Sequence, residues 1–154
     1  MIYPCELQEK LTQNTLSIRT RSAIGDLSAV MGKTFGAITQ YLAEAGEKPA
    51  GPPFTVYYNM DMQDLDLEIG FPVSKRLDSR GEIQSGEIPD GQFAACLYTG
   101  PYSAIEPAYT ALSEWIRSQG LTATGVAYEF YLNDPATTPA DELQTQILFP
   151  LERT

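Results

Sequence analysis

The stretch that decides the fold is Gly100–Gly120, GPYSAIEPAYTALSEWIRSQG, because it rewrites Gly25–Gly46, GDLSAVMGKTFGAITQYLAEAG, at an offset of about 75 residues. Gly25 falls on Gly100, and Ser28-Ala29-Val30 on Ser103-Ala104-Ile105. One residue drops out, after which Phe35, Ile38, Tyr41, Leu42 and Gly46 fall on Tyr109, Leu112, Trp115, Ile116 and Gly120. Working outward, Asn59 falls on Asn133 and Phe71-Pro72-Val73 on Phe149-Pro150-Leu151, the offset growing across the loop Asp134–Glu142. Self-similarity of this kind marks a duplicated structural unit.

Each half reads strand, helix, strand, strand. Thr15–Arg21 and Gln92–Thr99 are apolar runs of β character. The helices run over about Asp26–Ala45 and Ser103–Gln119, with apolar residues three and four apart and glycine stops at Gly46 and Gly120. Asp26 and Ser103 are the expected N-caps, and Pro107 falls in the tolerant first turn. Hairpins follow, Phe54–Asn59 with Leu65–Val73 and Gly125–Leu132 with Leu143–Leu151. The expected product is an α+β fold: duplicated strand-helix-strand-strand units with pseudo-twofold symmetry, an antiparallel sheet with two helices, and a central cleft. It spans residues 1–154 as a single domain, with repeat halves at about 1–73 and 92–154 and a polar linker over 74–91.

Composition narrows the chemistry. The chain of 154 residues is 43% hydrophobic and 19% charged, and carries ten Lys+Arg against twenty Asp+Glu. That length suffices to bury roughly two thirds of the unfolded surface. The absence of histidine removes every triad with an imidazole base and every zinc site with His ligands. Cys5 and Cys96 are far apart in sequence and form no CxxC, so no thiol redox pair is expected, and Cys96 reads as a small buried hydrophobe. A net charge of −10 opposes direct nucleic-acid contact, since only Lys75, Arg76 and Arg80 form even a loose basic group. No targeting segment or spanning apolar run is present, which makes the cytoplasm the expected location with no membrane partner. No metal and no cofactor is expected.

Side chains alternate along a strand, so each hairpin strand sorts into two faces. Phe54, Val56 and Tyr58 stand against Thr55, Tyr57 and Asn59, and Leu65, Leu67, Ile69 and Phe71 against Asp66, Glu68 and Gly70. In the second half Tyr128, Phe130 and Leu132 stand against Ala127, Glu129 and Tyr131, and Leu143, Thr145, Ile147 and Phe149 against Gln144, Gln146 and Leu148. The apolar sets are expected to cover the helices. The other sets mix carboxylates with tyrosines, so Glu68, Glu129, Tyr57, Tyr131 and Gln146 would line an acidic, aromatic-walled pocket suited to a flat apolar cation. Pattern alone favours an ordinary wetted sheet face. Asp61, Asp64, Asp66 and Glu68 lack the spacing and turn glycine of an EF-hand.

Several segments taken in order resemble the gyrase-inhibitor-like (GyrI-like) family. They are Tyr98-Thr99-Gly100-Pro101-Tyr102, Ala108-Tyr109, Trp115-Ile116, Tyr128-Glu129-Phe130-Tyr131-Leu132-Asn133-Asp134-Pro135 and Leu143-Gln144-Thr145-Gln146-Ile147, with Asp66-Leu67-Glu68-Ile69-Gly70-Phe71-Pro72-Val73 in the first half. This is the bacterial effector-binding domain found attached to AraC- and MerR-type activators and also free-standing. The resemblance implies a cleft for amphipathic, often cationic, small molecules, as in drug-sensing members. It implies the cation's partner at Glu129, with Tyr57, Tyr131 and Trp115 as surrounding rings. Two positions depart from the family: Tyr98, where relatives often carry histidine, and Gln146, where many carry glutamate.

The resulting expectation is a stand-alone effector-binding domain for sensing, sequestration or transcription-linked regulation, acting with a separate DNA-binding regulator where it regulates transcription. The alternatives are a hydrolase of electrophilic small molecules using Glu129 and Tyr131 without metal or histidine, and an inhibitor of a protein partner such as gyrase.

Overall fold

The computed structural model describes residues 3–153; Met1, Ile2 and Thr154, counted in the expected 1–154 domain, lie outside the described residues. In chain order the elements are β1 (Cys5–Lys10), β2 (Gln13–Ser22), α1 (Leu27–Glu44), β3 (Phe54–Tyr57), β4 (Leu65–Pro72), β5 (Gln84–Ile88), β6 (Gly91–Thr99), α2 (Glu106–Ser118), β7 (Ala127–Tyr131) and β8 (Gln144–Pro150). Short 3-10 turns precede both helices and β8. The fold class is α+β, and the duplication read from sequence is present in the strand-helix-strand-strand series β2-α1-β3-β4 and β6-α2-β7-β8.

The chain forms two compact units. One comprises residues 11–90, with antiparallel strands in the order β3-β4-β2-β5. Leu16, Ile38, Leu42 and Val73, all at most 2% exposed, form its core with Tyr41, Phe71 and Ile83, and Phe35 meets Phe71 edge-on at 5.4 Å. The other comprises residues 3–10 and 91–153, with strands in the order β1-β6-β8-β7. Here α2 buries Ala108, Leu112 and Ile116 and lies on β6.

Two edge strands differ from expectation. The segment read as a polar linker, 74–91, carries β5, which pairs with β2. The unassigned N-terminal segment forms β1, which pairs with β6. Each repeat is therefore preceded by a strand that completes the other repeat's sheet. Both strands are short and largely polar, so their alternation is faint, and an edge strand needs only one apolar face.

The repeat also preserves its punctuation. Both helices end on a left-handed glycine, Gly46 at φ +70° and Gly120 at φ +71°. After each, an N–H closes back across the last turn, Glu47 to the Leu42 carbonyl at 2.8 Å and Leu121 to the Ile116 carbonyl at 3.1 Å. Asn59 and Asn133 close the two hairpin mouths identically: Asn59 accepts from the Asp66 N–H and donates to the Asp64 carbonyl, Asn133 from Gln144 and to Glu142. The N-caps are weaker than expected. Asp26 caps α1 without a side-chain bond, and Ser103 lies in the 3-10 turn while Ile105 precedes α2. Pro107 sits in the first turn of α2.

Candidate functional site

Residues directly opposite each other in an antiparallel ladder share a face. In the unit built on β6-β8-β7, the register gives three informative rows: Cys96, Ile147 and Glu129; Tyr98, Thr145 and Tyr131; and Leu97, Gln146 and Phe130. The first two rows lie beneath α2, where Tyr109 meets the Phe149 ring at 5.6 Å and donates its hydroxyl to Glu129. The third row lies on the opposite face.

Glu129 is thus a carboxylate only 7% exposed, on the helix-covered face of the sheet. Burying an ionised carboxylate costs several kcal/mol unless hydrogen bonds replace its water. Tyr109 donates to its Oε2 and Tyr131, two residues along the same strand, to its Oε1 at 3.0 Å. Each charge-assisted bond contributes about 1.5–3 kcal/mol. Tyr102, on the 3-10 turn before α2, sets its ring against Tyr131 at 5.6 Å. Burial, followed by the negative charges of Glu129 and Asp134, pushes the Tyr102 phenol up from its ordinary value. Behind this turn Tyr98 donates to the Pro101 carbonyl at 2.7 Å. The Tyr98 hydroxyl occupies the space a Cβ on Gly100 would need, at 2.8 Å, and Gly100 has φ +144°, so only glycine suits that position. Thr145 lies between Tyr98 and Tyr131 in its row, fully buried, with no hydrogen-bond partner for its hydroxyl.

The other carboxylate belongs to a different environment. Glu68 on β4 shares a face with Arg19 and Val56, whereas Leu67, Leu16 and Phe71 lie on the face carrying α1. It accepts from Ser17 and from Tyr58, each at 2.5 Å. The Arg19 guanidinium stands 3.9 Å over the Tyr58 ring and makes a two-pronged bond to Asp66. Asp64 pairs with Arg21. These carboxylates belong to a cross-strand ladder of opposite charges.

The structure therefore joins Glu129 with Tyr131 and, within each unit, parts Tyr57 from Glu68 and Gln146 from Glu129. Tyr57, 8% exposed, stands opposite Leu67 on the face away from Glu68; the tyrosine that meets Glu68 is Tyr58. Gln146 stands opposite Phe130, on the face away from Glu129. Both separations have one cause. The second strand of each repeat, β3 or β7, is buried on both faces, so its polar alternation does not say which face meets the helix, and a one-residue slip in parity moves every side chain across the sheet. Trp115 is half-buried, six residues beyond Tyr109, which carries it about 9 Å along α2 and about 240° around it. It borders the buried stripe of Ala108, Leu112 and Ile116 on the side away from Tyr109.

Tyr109 and Tyr102 were missed as site residues, yet the repeat held a signal for Tyr109. Its counterpart is Phe35, and four residues before the matched Asn59 and Asn133 stand Thr55 and Glu129. The second repeat thus gains a carboxylate and a phenol together, at positions the first repeat fills with threonine and phenylalanine.

The GyrI-like small molecule binding domain family matches residues 4–152. Among solved structures, the EcmrR C-terminal domain is 23% identical with a TM-score of 0.88, covering all of both chains. EcmrR in a complex with DNA is 24% identical with a TM-score of 0.86; 99% of this chain is covered, and the chain spans 58% of that one. SAV2435 bound to tetraphenylphosphonium is 12% identical with a TM-score of 0.67, covering 99% of this chain and 94% of that one. No match is found among curated proteins. Among the described residues, no helix is long and apolar enough to cross a membrane.

Proposed function

The chain belongs to the GyrI-like small molecule binding domain family, and from that premise we propose that it binds an amphipathic organic cation at Glu129, among the rings of Tyr102, Tyr109 and Tyr131. One observation carries this reading: Glu129 is a buried carboxylate held by two phenols, at a position where the first repeat has Thr55. A carboxylate and aromatic faces attract a cation, while the rings accept its apolar bulk. The tetraphenylphosphonium bound by the structural relative SAV2435 is a ligand of this class and serves as the probe. The net charge of −10 opposes contact between these residues and DNA, so a role in transcription would pass through a DNA-binding domain or protein other than this one.

Calorimetric titration with tetraphenylphosphonium tests the reading. Replacing a charge-assisted contact of about 1.5–3 kcal/mol by a neutral one weakens binding roughly 10- to 150-fold in Glu129→Gln. Equal affinity in a folded Glu129→Gln variant would overturn the assignment.

The 3.0 Å bond from Tyr131 to Glu129 also favours a second reading, hydrolysis of an electrophile, with the carboxylate orienting water and the phenol supplying a proton. Turnover that is lost in Tyr131→Phe while binding persists would identify it. Saturable binding of an electrophilic substrate without turnover excludes it.

A further inference from the structure

Cys5 and Cys96, remote in sequence and expected to be unable to pair, are direct register partners across β1 and β6. Opposed residues of an antiparallel pair have Cα atoms about 4.5–5.5 Å apart, inside the window of about 4.4–6.8 Å that a disulfide spans. Their side chains share one face, with Cys5 donating its S–H to the Tyr3 carbonyl at 3.5 Å and Cys96 donating toward the Leu97 carbonyl at 3.9 Å. Cys96 is 1% exposed, whereas Cys5 is half-buried on the edge strand of its sheet, where a small oxidant can reach it. The row that begins with Cys5 and Cys96 continues through Ile147 to Glu129.

We propose that Cys5 and Cys96 form a reversible disulfide that fastens β1 to the sheet carrying Glu129. With hydrogen peroxide as oxidant, the Cys5 sulfur attacks one peroxide oxygen and the O–O bond breaks. The products are a Cys5 sulfenic acid and one water, which takes the Cys5 proton. The Cys96 sulfur then attacks the Cys5 sulfur, the S–O bond breaks, and hydroxide leaves as a second water with the Cys96 proton. Two thiols lose two electrons and one peroxide gains them. Cys5 is half-buried and Cys96 buried, which makes Cys5 the first sulfur that peroxide reaches. Burial pushes the Cys5 thiol up and the Cys96 thiol to about 12, so the pair rests as two thiols at neutral pH and oxidation accelerates as pH rises.

The test is peroxide treatment of the whole chain, followed by denaturation, alkylation with iodoacetamide and intact mass measurement. The expected product has lost two hydrogens and takes no alkyl group, is restored to two alkylatable thiols by dithiothreitol, and melts at a higher temperature than the reduced protein. Cys5→Ser is expected to show no such melting shift. Two alkylated thiols after peroxide, thiols carrying two or three added oxygens, or a disulfide-linked dimer would each overturn the proposal.

Discussion

The Tyr109–Glu129 contact can be tested by turning the second repeat into the first at two positions. Tyr109→Phe supplies the residue found at the matched Phe35 and keeps the ring against Phe149, so it deletes only the hydroxyl that donates to Glu129. Removing one donor from a buried carboxylate is expected to cost about 1.5–3 kcal/mol, roughly 3–12 °C in melting temperature for a chain of this length. Glu129→Thr supplies the residue of the matched Thr55; it leaves the Tyr109 hydroxyl without its acceptor and opens space, for a similar or larger loss. Together the two substitutions supply the residues that the first repeat carries at the matched positions, half-buried Phe35 and Thr55 at 0% exposed. The double variant should therefore retain about 1.5–3 kcal/mol relative to the sum of the singles. Urea unfolding at neutral pH measures this, with coincident far-UV and fluorescence transitions and an unchanged m-value as the condition for comparing midpoints. Additivity within about 0.5 kcal/mol would refute the assigned contact.

Three further outcomes follow from the structure. A Cβ on Gly70 would lie 2.2 Å from the Leu16 carbonyl and 2.9 Å from the Ser17 Cα, so Gly70→Ala must part β2 from β4; a loss of about 3 kcal/mol is expected in thermal unfolding. Gly36→Ala, in open space on the exposed side of α1, should instead gain about 0.5–1 kcal/mol. Hydrogen bonding from Arg19 holds the Asp66 carboxyl below the usual carboxylate range. A lowered folded pKa contributes stability that is complete above the unfolded value of about 3.9 and lost as pH falls through the folded value. Asp66→Asn should accordingly flatten the fall in stability on acidification below about pH 4, measured by melting temperature; an unchanged acid slope would count against the pairing.

The duplication was legible because it is local. Glycine stops, the asparagines that close each hairpin and the three-and-four spacing of α1 and α2 all act within a few residues, so a linear reading recovers them. Glu129 and Tyr131 were likewise legible as a pair, since residues two apart on a strand must share a face. The edge strands β1 and β5 were not legible, because each completes the sheet of the repeat that does not contain it. Nor was the parity of β3 and β7, whose two buried faces erase the contrast that would orient them.

The sequence by itself determined the α+β class, the repeated order of elements and the position of one carboxylate among tyrosines, since these depend on periodicity and on neighbours along the chain. Only the tertiary structure decided that Glu68 belongs to a charge ladder while Glu129 is buried under α2, that Tyr58 rather than Tyr57 meets Glu68, and that Cys5 stands opposite Cys96. Those outcomes depend on strand register, and register is fixed by pairing between segments distant in the chain, where a slip of a single residue exchanges the two faces of a sheet.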